Sequence, residues 1–253
     1  MPLALSRAPI QIGCRACRDG TAVDFPFSMA FQPIVNVDDK TIYAYEALAR
    51  GPGETSAASV LAQVNDTNRY QFDQTARVKA ITVASKIGIQ TQISINFLPG
   101  AVYRPETCIR VTLECAAEVN FPTSNIIFEV NEVEPVGDRA HLRGIFAEYK
   151  RRGFKTAIDD FGAGYAGLAL LADFEPDIIK LDMNLIRNIH QDRMRRAIVA
   201  GTVQTCSMMG ITVIAEGVET DDEVNALRDL GIALFQGYRF ARPLYEAMPE
   251  VNW

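Results

Sequence analysis

Carboxylates, amides and one lysine recur in this chain at one kind of position, immediately after short β-branched or apolar runs. Glu46 closes TIYAYE (41 to 46), Asn96 closes QISIN (92 to 96) and Glu129 closes NIIFE (125 to 129). Asp159 with Asp160 ends KTAID (155 to 159), and Lys180 with Asp182 ends DIIKL (177 to 181). Glu216 and Gln236 finish ITVIAE (211 to 216) and ALFQ (233 to 236). One acid in such a place is ordinary, since carboxylates cap helices and favour their first turn. Repetition over seven runs implies convergence on one rim. There Glu46, Glu129, Asp159, Asp160 and Glu216 would repel one another strongly unless cations neutralised them. Oxygen donors alone, with Asn96 as a neutral carbonyl, suit Mg²⁺ or Mn²⁺ rather than Zn²⁺. The adjacent pair Asp159 and Asp160 can serve two ions, one carboxylate bridging. Two ions about 3.5–4 Å apart share an attacking water and stabilise displacement at phosphorus.

Lys180 belongs to the same face although it sits within an apolar run. Beside metal ions its proton affinity falls, so the reading favoured here is a residue that deprotonates or orients the water. The alternative is a structural lysine paired with Asp182 or Asp177. The tract DFGAGY (160 to 165) is either a plain βα connection or, next to metal ligands, a mobile loop coupled to the site.

These residues need a scaffold that brings strand ends together. The β-like runs alternate with segments carrying apolar residues at three- and four-residue spacing, among them 139 to 152, 193 to 209 and 221 to 230. Such alternation implies parallel strands with crossover helices. An earlier run, FSMAFQPIV (27 to 35), is joined to TIYAYE by the turn-like NVDDK, too short for a helical crossover, so these two strands are expected to be antiparallel. Eight strands in about 210 residues match the spacing of an α/β fold, a TIM-like (β/α)₈ barrel whose C-terminal strand ends carry the active site. A doubly wound sheet would have a glycine-rich phosphate turn after its first strand, which is missing. GPGETSAAS (51 to 59) is the most loop-like stretch. Residues 1 to 26 are expected to form an arm outside a barrel spanning 27 to 253.

The chain has 253 residues, with 31 Asp and Glu against 25 Lys and Arg, a net charge of −6 and 48% hydrophobic residues. That is enough for one domain with a substantial core. An acidic balance without a basic tract argues against a protein that grips a DNA or RNA duplex through phosphates. No apolar run approaches the roughly 18–20 residues that span a bilayer, and Arg7 and Pro9 interrupt any leader core, so no membrane association and a cytoplasmic location are expected. Five cysteines are an odd count, unlike a secreted disulfide framework. Cys14 and Cys17 form a lone C-x-x-C. Neither His141 nor His190 completes a metal site with it, so a bland arm is favoured over a metal or redox role.

Set side by side, these motifs closely resemble the EAL-domain family of bacterial cyclic-di-GMP phosphodiesterases. Glu46-Ala47-Leu48 stands in the extended form EALAR, preceded by FQPIV (31 to 35). Further matches are SINFLP (94 to 99), FEVNE (128 to 132), IDDFGAGYAGL (158 to 168), IIKLD (178 to 182), VIAEGVET (213 to 220) and FQGYRFARP (235 to 243). The resemblance implies a barrel with one antiparallel strand that hydrolyses cyclic-di-GMP to linear pGpG. It implies that Glu46, Asn96, Glu129 and Asp159 hold one ion, that Asp159 and Asp160 serve the second, and that Glu216 is a further metal-site carboxylate. Lys180, Glu46 and Asp160 are then the catalytic group, and Gln32, Arg50 and Gln236 the substrate contacts, with Arg50 offering a bidentate grip on phosphate. Glu132 resembles the glutamate that steadies the DFG-type loop, and Glu219 a supporting residue near the metals. Family members commonly pair through that loop and the following helix, which implies a homodimer.

Ala166 and Gly167 depart from the two serines often found after the loop tyrosine, removing a possible hydroxyl partner for Glu132. Competing readings are a cyclic-di-GMP receptor or interaction module without turnover, and a barrel enzyme acting on another phosphate ester. Degenerate members usually lose a position matching Glu46, Glu129, Asp159 or Lys180, and all four stand here.

Overall fold

The computed structural model describes residues 23–132, 139–164 and 167–253. Most of the expected arm, with Cys14 and Cys17, lies outside the described residues, as do Tyr165 and Ala166.

Each expected β-run forms a strand: β1 Ser28–Asn36, β2 Thr41–Arg50, β3 Gln92–Asn96, β4 Ile126–Asn131, β5 Lys155–Phe161, β6 Ile178–Leu181, β7 Thr212–Ala215 and β8 Leu234–Phe235. β1 and β2 pair antiparallel, Gln32 opposite Glu46, as the short NVDDK link requires. From β2 through β8 every neighbour is parallel, and β1 closes the ring by pairing antiparallel with β8 as well. The fold is therefore a TIM-like (β/α)₈ barrel with one antiparallel strand. A ninth strand, β9 Leu244–Tyr245, adds to the outer edge of β1 and was not expected from the sequence, because a two-residue pairing has no periodicity to read.

Helices fall where apolar residues recur every three or four positions: Arg139–Arg151, Arg193–Met209 and Asp221–Arg228 all form. Thr220 opens the last of these with a capping box, its side chain accepting from Glu223 N while Glu223 reaches back to the Thr220 backbone. The stretch 51 to 59 is not wholly loop: Ser56 accepts from the Ser59 amide and starts a short helix, Ala57–Leu61.

The barrel interior shows how the strands position the site. Ile34, Ala44, Ile127, Ala157, Ile178, Ile214 and Leu234 form one buried apolar cluster, a plug across the inside of the barrel. Side chains two residues apart share a face of a strand. Two positions beyond Ala44, Ile127, Ala157, Ile178, Ile214 and Leu234 stand Glu46, Glu129, Asp159, Lys180, Glu216 and Gln236. On β1, which runs the other way, two positions before Ile34 stands Gln32. The polar layer is thus the next tier of the same inward faces, stacked on the plug. A second and larger core cluster packs helices against the outer face, with Phe25 and Phe27 set on Phe72 at ring separations of 6.2 and 5.1 Å.

Candidate active site

Lys180 is fully buried at the centre of the polar tier. Its Nζ lies 3.2 Å from Glu46 Oε2, 3.0 Å from Glu129 Oε2, 3.1 Å from Asp159 Oδ1 and 2.6 Å from Glu216 Oε1. The structural pairing with Asp177 or Asp182 does not occur. Asp177 binds Lys150 and the Thr156 amide, and Asp182 caps the turn Met183–Ile186 by accepting from Asn184 N. Asp177 stands three residues before Lys180, just ahead of the strand and on the other face of its alternation, and Asp182 has already left the strand to cap the next helix.

Burial works against charge on Lys180, but Asp159, Glu129, Glu216 and Glu46 together hold its pKa well above the ordinary lysine value. This arrangement favours the charged form of Lys180. The acids divide. Burial pushes Glu129 up to about 8, with Lys180 opposing and Glu46 and Asp159 adding to the rise. Burial likewise drives Glu216 well above the usual carboxylate range. Asp159 is also buried, yet the Lys180 charge and its hydrogen bonds outweigh that and leave its pKa lowered. Asp160 is pushed up to about 6 by burial and by repulsion from Asp159 and Asp182. Four carboxylates meet one ammonium and Asp160 stands close by, and the raised values of Glu129, Glu216 and Asp160 show that one ammonium does not offset the full charge of the rim.

Asp159 and Asp160 are adjacent, and in a regular strand their side chains would point to opposite faces. A register shift between Ile158 and Phe161 breaks the β5–β6 ladder there, and Asp160 adopts a left-handed backbone with φ 52°. That bulge turns the second carboxylate back toward the first. Carboxylate oxygens of Asp159, Asp160 and Glu216 consequently lie within 4.8 Å of one another, and those of Glu46, Glu129 and Asp159 do the same. Asp159 belongs to both groups. Asn96 is exposed and gives its Nδ2 to Glu46 Oε1 at 2.9 Å, which leaves its carbonyl oxygen available as a ligand atom. Two oxygen-only groups with a shared carboxylate fit a pair of hard divalent cations.

The remaining expected residues divide between those drawn in and those set back. Gln236 donates to Glu46 Oε2 at 2.6 Å and to Gln32 Oε1 at 3.2 Å, while Gln32 donates to the Ala241 carbonyl. Arg50 is not part of the cluster. It ends β2, four residues or about 13 Å beyond Glu46 on the same face, and its guanidinium donates to the Ala49 carbonyl at 2.8 Å. Glu219 binds Arg187 through both oxygens, at 3.0 and 2.8 Å. Glu132 accepts three backbone N–H groups of the loop after β5, from Gly162, Gly164 and Gly167, at 2.7, 3.2 and 2.9 Å. The position that lacks a hydroxyl therefore still supplies Glu132 with a donor, its own amide. A Cβ on Gly164 would stand 3.0 Å from the Glu132 carboxyl carbon, so the close approach needs glycine.

Two cavities flank the rim. One of 260 Å³ is lined by Gln32, Glu46, Leu48, Asp160, Glu216 and Gln236 among others; one of 420 Å³ is lined by Glu46, Leu48, Asn96, Asn131 and Asp159 together with Leu61, Phe72 and Phe97 among others. Sequence reasoning passed over Asn131, whose amide donates to Asp160 Oδ2. Its place two residues after Glu129 on an inward face was the available signal. It also passed over Tyr238, half-exposed in the smaller cavity with Arg242 stacked 4.1 Å from its ring centre, which no strand pattern marks.

The family model described as EAL domain matches residues 23–243. The chain belongs to the EAL domain family. Among solved structures, this EAL domain is similar to a standalone versatile EAL protein from Vibrio cholerae O395 in a c-di-GMP bound form, with 53% identity, a TM-score of 0.89 and coverage of 91% of this chain and 98% of that one. It is also similar to Klebsiella pneumoniae BlrP1 in a manganese and cy-diGMP complex, with 36% identity, a TM-score of 0.86 and coverage of 92% and 60%. A curated relative, the blue light- and temperature-regulated antirepressor BluF of Escherichia coli K12, is 34% identical over 226 residues, 88% of this chain and 56% of BluF. Other relatives are named cyclic di-GMP phosphodiesterase or probable cyclic di-GMP phosphodiesterase, and this chain spans less than half of their length. Among the described residues of this EAL domain, no helix is long and apolar enough to cross a membrane.

Proposed function

We propose that this EAL domain hydrolyses cyclic-di-GMP to linear pGpG, consuming one water and breaking one P–O bond per turnover. The carrying observation is the pair of carboxylate groups that share Asp159 and face Lys180. Glu46, Asn96, Glu129 and Asp159 would hold one Mg²⁺ or Mn²⁺, Asp159 and Asp160 the second, with Glu216 beside them. Two such ions supply a water of lowered pKa and polarise the phosphoryl oxygen.

The chain's own residues do the rest. Lys180 keeps Asp159 ionised and holds the rim acids around one point, from which its ammonium also orients the attacking water. Glu46 is fixed from two sides, by Asn96 and by Gln236, so its oxygens are not free to swing. Glu132 ties down the loop that follows Asp160. Because the two cavities share Glu46 and Leu48, a ligand with two nucleotide halves has a place for each beside the rim. Gln32 and Gln236 line the smaller one, and Arg50, farther along β2, is positioned to grip a phosphate on an extended ligand. The same reading places the chain in the cytoplasm and against a second copy of itself; exposed Leu168 and Met183, beside the loop after Asp160, support that pairing.

Incubation with cyclic-di-GMP and Mg²⁺ or Mn²⁺, followed by chromatography, is expected to yield pGpG, and Glu46→Ala to yield none. The similarity to BluF, an antirepressor, favours a second reading in which the chain binds the nucleotide without turnover. Tight binding with no product in either metal would select that reading and overturn the first.

A further inference from the structure

One buried charged pair lies outside the rim and is unused by the chemistry above. Asp73 and Arg77 sit one turn apart on the helix Arg69–Ile87, both essentially inaccessible, with Arg77 Nε 2.8 Å from Asp73 Oδ2. Arg77 also donates to Tyr149 OH at 2.7 Å and lies 4.9 Å from the centre of the Phe128 ring and 5.5 Å from that of Phe97. A buried ion pair is a costly way to hold a helix on a barrel, since apolar residues of similar volume usually do as well or better. What it supplies is direction, and the other oxygen of Asp73 shows where.

Asp73 Oδ1 accepts the Leu98 amide at 3.0 Å. β3 ends at Asn96. The Phe97 amide still finds the Glu129 carbonyl at 2.9 Å, but the Leu98 amide has passed the end of the ladder and is satisfied by the helix instead. Asn96 is therefore followed at once by two fixed points: the Phe97 ring, set against Phe128 and Arg77, and the Leu98 amide, held by Asp73. We infer that Asp73 is a positioning residue, oriented by Arg77, whose hydrogen bond to the Leu98 amide sets the place of the loop after β3 and with it the Asn96 side chain as a ligand in the rim. This rests on the two-ion reading of the site.

The test compares two variants that both lack the charge pair and differ in one acceptor. Asp73→Asn/Arg77→Met keeps a carbonyl oxygen for the Leu98 amide, and Asp73→Leu/Arg77→Met does not. Partners that orient a metal ligand commonly alter affinity by about 10–100-fold when removed. In calorimetric titrations with Mn²⁺, the Leu variant should bind about tenfold more weakly than wild type and the Asn variant close to wild type, at matched melting temperatures. Equal affinities in the two variants, with wild-type binding intact, would overturn the inference alone. Failure of wild type to bind Mn²⁺ would overturn the two-ion reading, and this inference with it. Amide exchange in the wild-type chain provides a measurement independent of how the variants fold: Leu98 should be protected like a strand amide, and exchange as fast as an open loop would refute the clamp.

Discussion

Replacing Lys180 by methionine removes the only ammonium among the described residues that touches the rim acids, while keeping an unbranched side chain of similar length. Four carboxylate oxygens within 2.6–3.2 Å of Nζ then lose their shared partner in a fully buried place. Breaking one side of a buried ion pair costs about 3–5 kcal/mol. At about 2–4 °C per kcal/mol for a domain of this size, the metal-free variant should melt about 6–20 °C below wild type. The deficit should depend on pH. Glu129 in the native state titrates near 8 rather than 4.5, so it keeps a proton that the unfolded chain has released. Its contribution to stability is complete below about 4.5 and lost as pH rises toward 8. Without Lys180 the acids rise further, so at pH 5 they are protonated and the loss is small, while at pH 8 they must carry charge and the loss is large. Mn²⁺ should raise the melting temperature more in the variant than in wild type, because the ion meets more negative charge and no competing ammonium. Thermal unfolding in chelator and in Mn²⁺, at pH 5 and pH 8, measures all of this. A metal-free Lys180→Met chain that melts within about 2 °C of wild type at pH 8 would refute the claim that Lys180 neutralises the rim.

Three other outcomes follow from the same geometry. Glu132→Ala strips an acceptor from the amides of Gly162, Gly164 and Gly167 and should lower turnover about tenfold or more while leaving the barrel folded, measured by steady-state kinetics beside a melting curve. Gly237→Ala would drive a Cβ to 2.0 Å from the Val218 carbonyl oxygen, so it should cost about 1–3 kcal/mol in denaturant unfolding and displace Gln236 from Glu46; an unchanged midpoint would contradict the packing at β8. Apparent Mn²⁺ affinity should climb between about pH 6 and pH 8, by up to about tenfold per pH unit for each proton released, because Asp160 near 6 and Glu129 near 8 must ionise to bind. Equal affinities at the two ends of that window would show that these acids do not ligate.

Much of the barrel was readable from residue order because each strand carries its own signal. A run such as QISIN or NIIFE is short, β-branched and bounded, and the link NVDDK is too short for anything but an antiparallel return. The rim was readable for a related reason: period-two alternation places Glu46, Glu129, Asp159, Lys180, Glu216 and Gln236 one step above apolar plug residues, so types and spacing alone select them. β9 was not readable, since two residues have no period. Asn131 was passed over although it obeys the same alternation as Glu129, whereas Tyr238 lies beyond a strand end where alternation no longer applies.

What residue order alone determined, then, is which side chains share the inner tier and that their charge calls for cations. It could not say how Asp159 and its neighbour both face that tier, because regular strand geometry forbids it; only the left-handed backbone at Asp160, whose carboxylate accepts from Asn131 on the adjacent strand, does so. Nor could it assign Lys180 its partners. Those come from β2, β4, β5 and the residue just after β7, separated from it by up to 134 residues, and they meet at one Nζ only because the sheet closes on itself. The raised pKa of Lys180 follows from that meeting, since four carboxylates around one ammonium favour its charged form.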